Sequence, residues 1–185
     1  MKNIFKKLIL LLLSIIVICV VVLWIYRNLF FPRKYKDIVD QACSMYNIDP
    51  NLIYAIIKQE SGFNKDAVSK SGAKGLMQIM DATAKDMAID IDSINNDNYD
   101  IYDPYTNILI GTKYISYLIN HFDGNYYLAI TAYNAGMGKI EEWLDKPYNE
   151  YIEYSEIYQI IEYNETRNYI TNVISYYDFY TKLYN

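Results

Sequence analysis

The sequence predicts a mainly α-helical domain preceded by one N-terminal transmembrane helix. Three observations carry this: an uncharged apolar run near the start, two Asp-Pro pairs that open helices farther on, and no persuasive period-2 strand pattern. A length of 185 residues leaves room for one domain and a short additional segment.

The first element is the apolar run. From Leu8 to Tyr26 the chain reads LILLLLSIIVICVVVLWIY, 19 residues without a charge, enough to cross a hydrocarbon core about 30 Å thick. Lys2, Lys6 and Lys7 precede it, as in a secretory signal or a signal anchor. No small-x-small cleavage site follows, and the run exceeds the roughly 7–15 apolar residues of a removable signal. The expected organisation is therefore a cytoplasmic tail and retained anchor over residues 1–30, then one domain over residues 31–185. A buried core helix of this length would show a polar face. Arg27, Arg33, Lys34 and Lys36 follow the run, so positive charge does not clearly favour one side. A short cytoplasmic tail with a translocated C-terminal domain is the simpler arrangement. It places that domain on the extracytoplasmic side of the membrane.

Beyond the linker at Phe31-Pro32, Asp49-Pro50 and Asp103-Pro104 each set an N-cap residue before a proline at the first helical position. These helices are expected to run to about Glu60 and about Phe122. The turn Asp123-Gly124-Asn125 introduces another helix ending near Gly136. A last helix is expected from roughly Glu165 to Leu183, with Ile170, Val173, Ile174, Tyr177 and Tyr180 at core-facing spacing. The Asn- and Asp-rich segment from Ile91 to Asp103 reads as a surface loop.

Charge and cysteine usage exclude some classes. The first 30 residues hold four of the 17 basic residues and none of the 22 acidic ones, which leaves the remainder at −9. That balance argues against nucleic acid as a partner, since phosphate backbones call for clustered Lys and Arg. Cys19 lies inside the membrane segment and Cys43 outside it, so no intrachain disulfide is expected. Cys19 also lacks the preceding small residues of a lipoprotein signal. One histidine and one cysteine beyond the anchor argue against a protein-only zinc site. The 22 tyrosines fit either core edges or sugar faces, and composition does not choose between them.

The helix after Pro50 carries the strongest chemical signal. Leu52, Ile53, Ile56 and Ile57 form one apolar face, and Glu60 is the next position on it. Burial there raises a carboxyl pKa. Glu60 also sits in the last turn, before a Gly62 C-cap, where the helix dipole opposes ionisation. Both effects favour the protonated carboxyl that a general acid requires. The same pattern also fits a glutamate that snorkels out at the helix end or pairs with a buried arginine. Gln78, the lone amide in Leu76-Met77-Gln78-Ile79-Met80, suits either a satisfied core group or a ligand contact. Asn134, before Ala135-Gly136, suits a cap as well as a binding residue.

Four stretches in order carry more than any one of them: Glu60-Ser61-Gly62-Phe63, Gly75-Leu76-Met77-Gln78, Ala132-Tyr133-Asn134-Ala135-Gly136 and Glu165-Thr166-Arg167-Asn168-Tyr169. Together they resemble the Slt-type soluble lytic transglycosylases. Asp103-Pro104 with Asn107, Gly111 and Tyr114 matches the connecting helix of that family, and the resemblance covers about Tyr35 to Tyr180. It implies a lysozyme-like (goose-type/Slt) fold with a glycan groove, and cleavage of peptidoglycan between N-acetylmuramic acid and N-acetylglucosamine with a 1,6-anhydro end. By position, Glu60 resembles the single catalytic acid/base and Ser61 a supporting neighbour. Gln78, Met80, Tyr133 and Asn134 resemble groove residues, Tyr169 the tyrosine beside the catalytic carboxyl, and Ser69 a further polar contact. No metal or organic cofactor is implied. Peptidoglycan strands and the membrane are the implied partners, with an envelope machine as a possible recruiter. Two departures are plain: Ile161-Glu162 stands where the family often has Ile-Pro, and the Tyr-rich stretch from Tyr148 to Tyr163 carries no strong motif.

Ordinary glycosidases use two carboxylates, and the motifs here supply one. The nearest rival is goose-type hydrolysis, which needs a second acid such as Asp66 or Asp81. Other rivals are a catalytically silent wall-binding protein and a cytosolic interaction module.

Overall fold

The computed structural model describes residues 2–94, 98–144 and 152–184, and the chain divides into two units, Met1–Lys34 and Tyr35–Asn185. The first unit is one helix, α1 (Lys2–Phe30). At 1.5 Å per residue its 29 residues extend about 44 Å. Its Asn3–Phe30 stretch is long and apolar enough to cross a membrane, and none of its most apolar window is buried within the protein. Two of its polar side chains bond back to the helix's own backbone. Ser14 Oγ donates to the Leu11 carbonyl at 2.7 Å, and Asn28 Nδ2 to the Trp24 carbonyl at 2.7 Å.

The second unit is built from α2 (Lys36–Tyr46), α3 (Pro50–Ser61), α4 (Asp81–Ala88), α5 (Pro104–His121), α6 (Tyr126–Ala135), α7 (Met137–Leu144), α8 (Tyr154–Ile160) and α9 (Asn164–Tyr184). Among the described residues there is no strand, only isolated bridges pairing Val68 with Lys74 and Lys74 with Ile79. The helix starts follow their capping chemistry. Asp49 accepts the Asn51 N–H at 2.8 Å, Asp103 the Thr106 N–H at 3.0 Å, and Asn125 those of Tyr127 and Leu128 at 3.0 and 3.1 Å. Each side chain supplies an acceptor for donors the first turn leaves open.

At the centre lies α3, whose residues Asn51 to Ile57 are all buried. It packs against α2 and α9; α5 joins α2, α4 and α6, and α6 also meets α7, α8 and α9. Tyr54 stacks on Tyr180 at 5.4 Å, and Tyr177 donates to Asp49 at 2.8 Å, so α9 is fastened along α3. On α9, Ile170, Val173 and Tyr180 are buried as their spacing predicts, whereas Ile174 and Tyr177 are half-buried. The segment from Ile91 to Asp103 is irregular, but it is not a loop lying wholly on the surface. Ile91, Ile94 and Ile101 insert into the core and anchor it, while residues 95–97 lie outside the described residues. Both cysteines are free.

Candidate active site

Glu60 lies in the last turn of α3, and the chain reverses just after Ser61. Gly62 takes φ +57°, and its N–H returns to the Lys58 carbonyl at 3.2 Å. The half-buried carboxyl is approached by a long-range partner: Tyr169 of α9, itself buried, donates its hydroxyl to Oε1 at 2.7 Å. Burial pushes the Glu60 carboxyl up from 4.5 to about 7, and the Tyr169 bond pulls partly the other way by favouring the ionised form. Burial, then the nearby Glu60 charge, pushes the phenols of both Tyr169 and Tyr133 well above their usual range. Both stay protonated donors, and the group that exchanges protons near neutral pH is Glu60.

The segment after Gly75 forms one wall of a groove of about 240 Å³ lined by Gln78, Met80, Thr83, Tyr114, Tyr133 and Asn134, among others. Three helices hold that wall. From α3, Ser61 Oγ donates to the Leu76 carbonyl at 2.7 Å. From α5, the fully buried Asn107 accepts the Met77 N–H at 2.8 Å and donates to the Lys74 and Ile101 carbonyls at 3.0 and 2.9 Å. From α6, Tyr133 donates to the Met77 carbonyl at 2.9 Å. Both polar groups of the Met77 residue are therefore satisfied by side chains. Close approach here demands two glycines. A Cβ on Gly75, at φ +77°, would stand 2.3 Å from Asn107 Nδ2, and one on Gly111 would stand 2.4 Å from Met77 Sδ. Gln78 adopts φ +50°, a strained value for a side-chain-bearing residue. Its Nε2 donates to the Gly75 and Ala67 carbonyls at 2.9 and 3.1 Å, which holds the turn.

The expected site residues thus separate into three sets. Gln78, Met80, Tyr133 and Asn134 come together on the groove, and Tyr169 meets Glu60. Ser61 fastens the wall. Ser69 is committed to a turn: its hydroxyl accepts the Ala73 N–H at 2.9 Å, lies 2.9 Å from Ser71 Oγ, and is not part of the groove lining. Asp66 and Asp81 are exposed and pair with Lys65 and Lys74. Among the described residues no cluster of three or more His, Cys, Asp or Glu could hold a metal. Asn107, Tyr114 and Thr83 contribute to the site although the sequence singled none of them out for a role. Asn107 had a signal, a lone amide followed by the apolar run Ile108-Leu109-Ile110. Tyr114, with its ring 5.2 Å from that of Tyr133, had none beyond the family match.

Residues 37–155 match the model of the transglycosylase SLT domain. The chain belongs to that family. It is similar to the soluble lytic murein transglycosylase of Escherichia coli, at 35% identity over 160 residues, covering 85% of this chain and 24% of that one. It is also similar to membrane-bound lytic murein transglycosylase C of Edwardsiella ictaluri, at 40% identity over 117 residues, covering 58% and 33%. An inactive Glu-to-Gln variant of the lytic transglycosylase Slt from Pseudomonas aeruginosa matches the structure with a TM-score of 0.76. The identity is 32%, over 84% of this chain and 25% of that one. The SLT-domain chain spans about a quarter of the length of the soluble relatives it matches. Its fold is the mainly α, lysozyme-like architecture of the Slt proteins.

Proposed function

We propose that this SLT-domain protein is a membrane-anchored peptidoglycan lytic transglycosylase in which Glu60 serves first as acid and then as base. The observation that carries the reading is the half-buried Glu60 carboxyl, raised to about 7 and held at Oε1 by Tyr169 at 2.7 Å. Such a group is poised to give and to take a proton at neutral pH. Protonated Glu60 donates to the oxygen of the β-1,4 bond between N-acetylmuramic acid and N-acetylglucosamine. The C1–O bond breaks as positive charge develops on the muramic acid C1. The resulting carboxylate removes the proton of the same sugar's 6-hydroxyl, whose oxygen bonds to C1 and closes the 1,6-anhydro ring. One carboxyl suffices because the nucleophile is tethered, with the advantage in proximity that brings. Gln78, Met80, Tyr133 and Asn134 line the groove that would hold the flanking sugars, where Asn134 and Tyr133 would hold the N-acetyl group or orient the ring. Ser61 supports the catalytic helix end through Leu76. Ser69 would act on substrate only through the turn it shapes.

The α1 helix is read as the anchor, with the tail at residues 1–7 cytoplasmic and the domain from residue 31 onward on the cell-wall side of the cytoplasmic membrane. No nucleic acid is expected as a partner. The resemblance to relatives named lytic transglycosylases supports the reaction, and the membrane-bound relative supports the anchor. Mass spectrometry of wall digests tests the reading. Anhydro ends, one water lighter than reducing ends, are expected, and reducing ends alone would overturn it. Protease accessibility of the domain in cells stripped of their wall tests the orientation.

A further inference from the structure

Five tyrosines outside the groove, Tyr126, Tyr127, Tyr154, Tyr158 and Tyr177, form a surface of their own. At one end, Tyr126, Tyr127 and Ile130 of α6 face Ile174, Tyr177 and Asp178 of α9 across a cavity of about 300 Å³. At the other end, Tyr154, Tyr158 and Gln159 of α8 meet Thr171 of α9 around a shallow cavity of about 390 Å³. Ring contacts join the two: Tyr127 lies 5.4 Å from Tyr154, and Tyr154 lies 6.0 Å from Tyr158. Tyr126 and Tyr158 are 37% and 40% exposed, more than a ring filling a core edge would be. This surface is separate from the groove. Tyr177 is bonded to Asp49 at the start of α3, and Glu60 lies at its end, eleven residues or about 16 Å away.

We propose that this tyrosine surface binds a second stretch of neutral glycan, outside the catalytic groove. The proposal rests on the glycan-cleaving reading above. The chemistry of the lining selects the ligand. Asp178 stands in the first cavity, Asp49 lies behind Tyr177, and among the described residues no lysine or arginine is part of either lining, so the lining itself offers no cation to seat an anionic group. Arg167 lies against Tyr158 at 5.6 Å and holds that ring from the side of α9. A wholly apolar ligand would strip water from Asp178 and several phenols without returning hydrogen bonds. A sugar ring matches both demands, with C–H faces for the aromatic rings and hydroxyls for Asp178, Gln159 and the Tyr154–Thr171 pair, which lie 2.9 Å apart. Two cavities joined by a run of rings suit a polymer better than a single sugar. A strand held here as well as in the groove gains avidity without any new contact in the groove.

The test uses the full chain in detergent micelles, in a Glu60→Gln background so that strands stay intact. The pair Tyr126→Ser with Tyr158→Ser is expected to weaken retention on purified wall sacculi at least about tenfold, the loss of one attachment point in a two-point scheme. The corresponding Phe pair, which keeps the rings, should retain most of it. Chitotetraose should compete for the site. With Glu60 intact, the Ser pair should leave the rate on a short soluble tetrasaccharide unchanged. Unchanged retention in the Ser pair overturns the proposal, as does equal loss in the Phe pair. Competition by oligolysine but not by chitotetraose would replace the sugar with a cationic ligand and overturn it as well. Reducing ends among wild-type products would sink the reaction assigned to Glu60 while leaving the retention result to decide this surface.

Discussion

Replacing Glu60 by Gln should stabilise the protein at pH 8 and leave its stability unchanged at pH 4. The carboxyl is raised from 4.5 to about 7, mainly by burial. Below about 4.5 it is protonated in folded and unfolded chains alike, and no difference arises. Between 4.5 and 7 the unfolded chain releases its proton while the folded one holds it, so stability is lost as pH rises. Above 7 the loss is complete. At about 1.4 kcal/mol per pKa unit the full span is worth about 3 kcal/mol. The carboxyl is only half-buried, and solvent screening reduces that to about 2 kcal/mol. Glutamine is neutral throughout and can still accept the Tyr169 hydroxyl, so it avoids the loss. For a domain of this size the gap corresponds to about 4–8 °C in Tm. Thermal unfolding followed by tyrosine near-ultraviolet dichroism, at pH 4, 6 and 8 on both proteins, measures it. Parallel curves with one constant gap would refute the argument, because a pH-independent difference cannot come from titration of Glu60.

The pH–rate profile provides a second measurement. Activity should fall as pH rises through about 7, and Tyr169→Phe should move that limb upward by about one unit, since it deletes a hydrogen bond that favours the carboxylate. Asn107→Ala should cost about 3 kcal/mol in urea unfolding, because the Met77 N–H and two carbonyls lose their partner in the interior. Gly75→Ala should cost about 2–4 kcal/mol, from the clash with Asn107 and the positive φ. Asp66→Ala and Asp81→Ala should leave both the rate and the products unchanged, since each acid is exposed and paired with a lysine. A loss of activity in either would point to hydrolysis assisted by a second carboxylate.

Much of the scaffold was legible because its signals are local. Asp49, Asp103 and Asn125 sit within three residues of the N–H groups they accept, so the starts of α3, α5 and α6 could be read directly. The placement of Glu60 on an apolar stripe followed from helical spacing, but its partner did not, because Tyr169 lies 109 residues away. The groove wall was less legible for the same reason. The contacts of Ser61 with Leu76, Asn107 with Met77, and Tyr133 with Met77 span 15, 30 and 56 residues. Nothing near Gly75 or Gly111 announces what a Cβ there would strike. Ser69 illustrates the opposite problem, a polar residue beside a motif whose hydroxyl serves its own turn. The helices α2, α4, α7 and α8 are short and lack the Asp-Pro signature. The three isoleucines between Ile91 and Ile101 were masked by the polar residues around them.

The clasp on Met77 also bears on motion. Its amide can exchange with solvent only if α5 releases Asn107, and its carbonyl is released only if α6 gives up Tyr133. Both helices are core elements, so opening of this wall is tied to large-scale unfolding rather than to local fraying. Hydrogen exchange at Met77 should therefore be among the slowest in the chain, although it borders an open groove. A wall that is already rigid before substrate arrives loses little freedom on binding. The strand, not the protein, is then the partner that must adapt its shape.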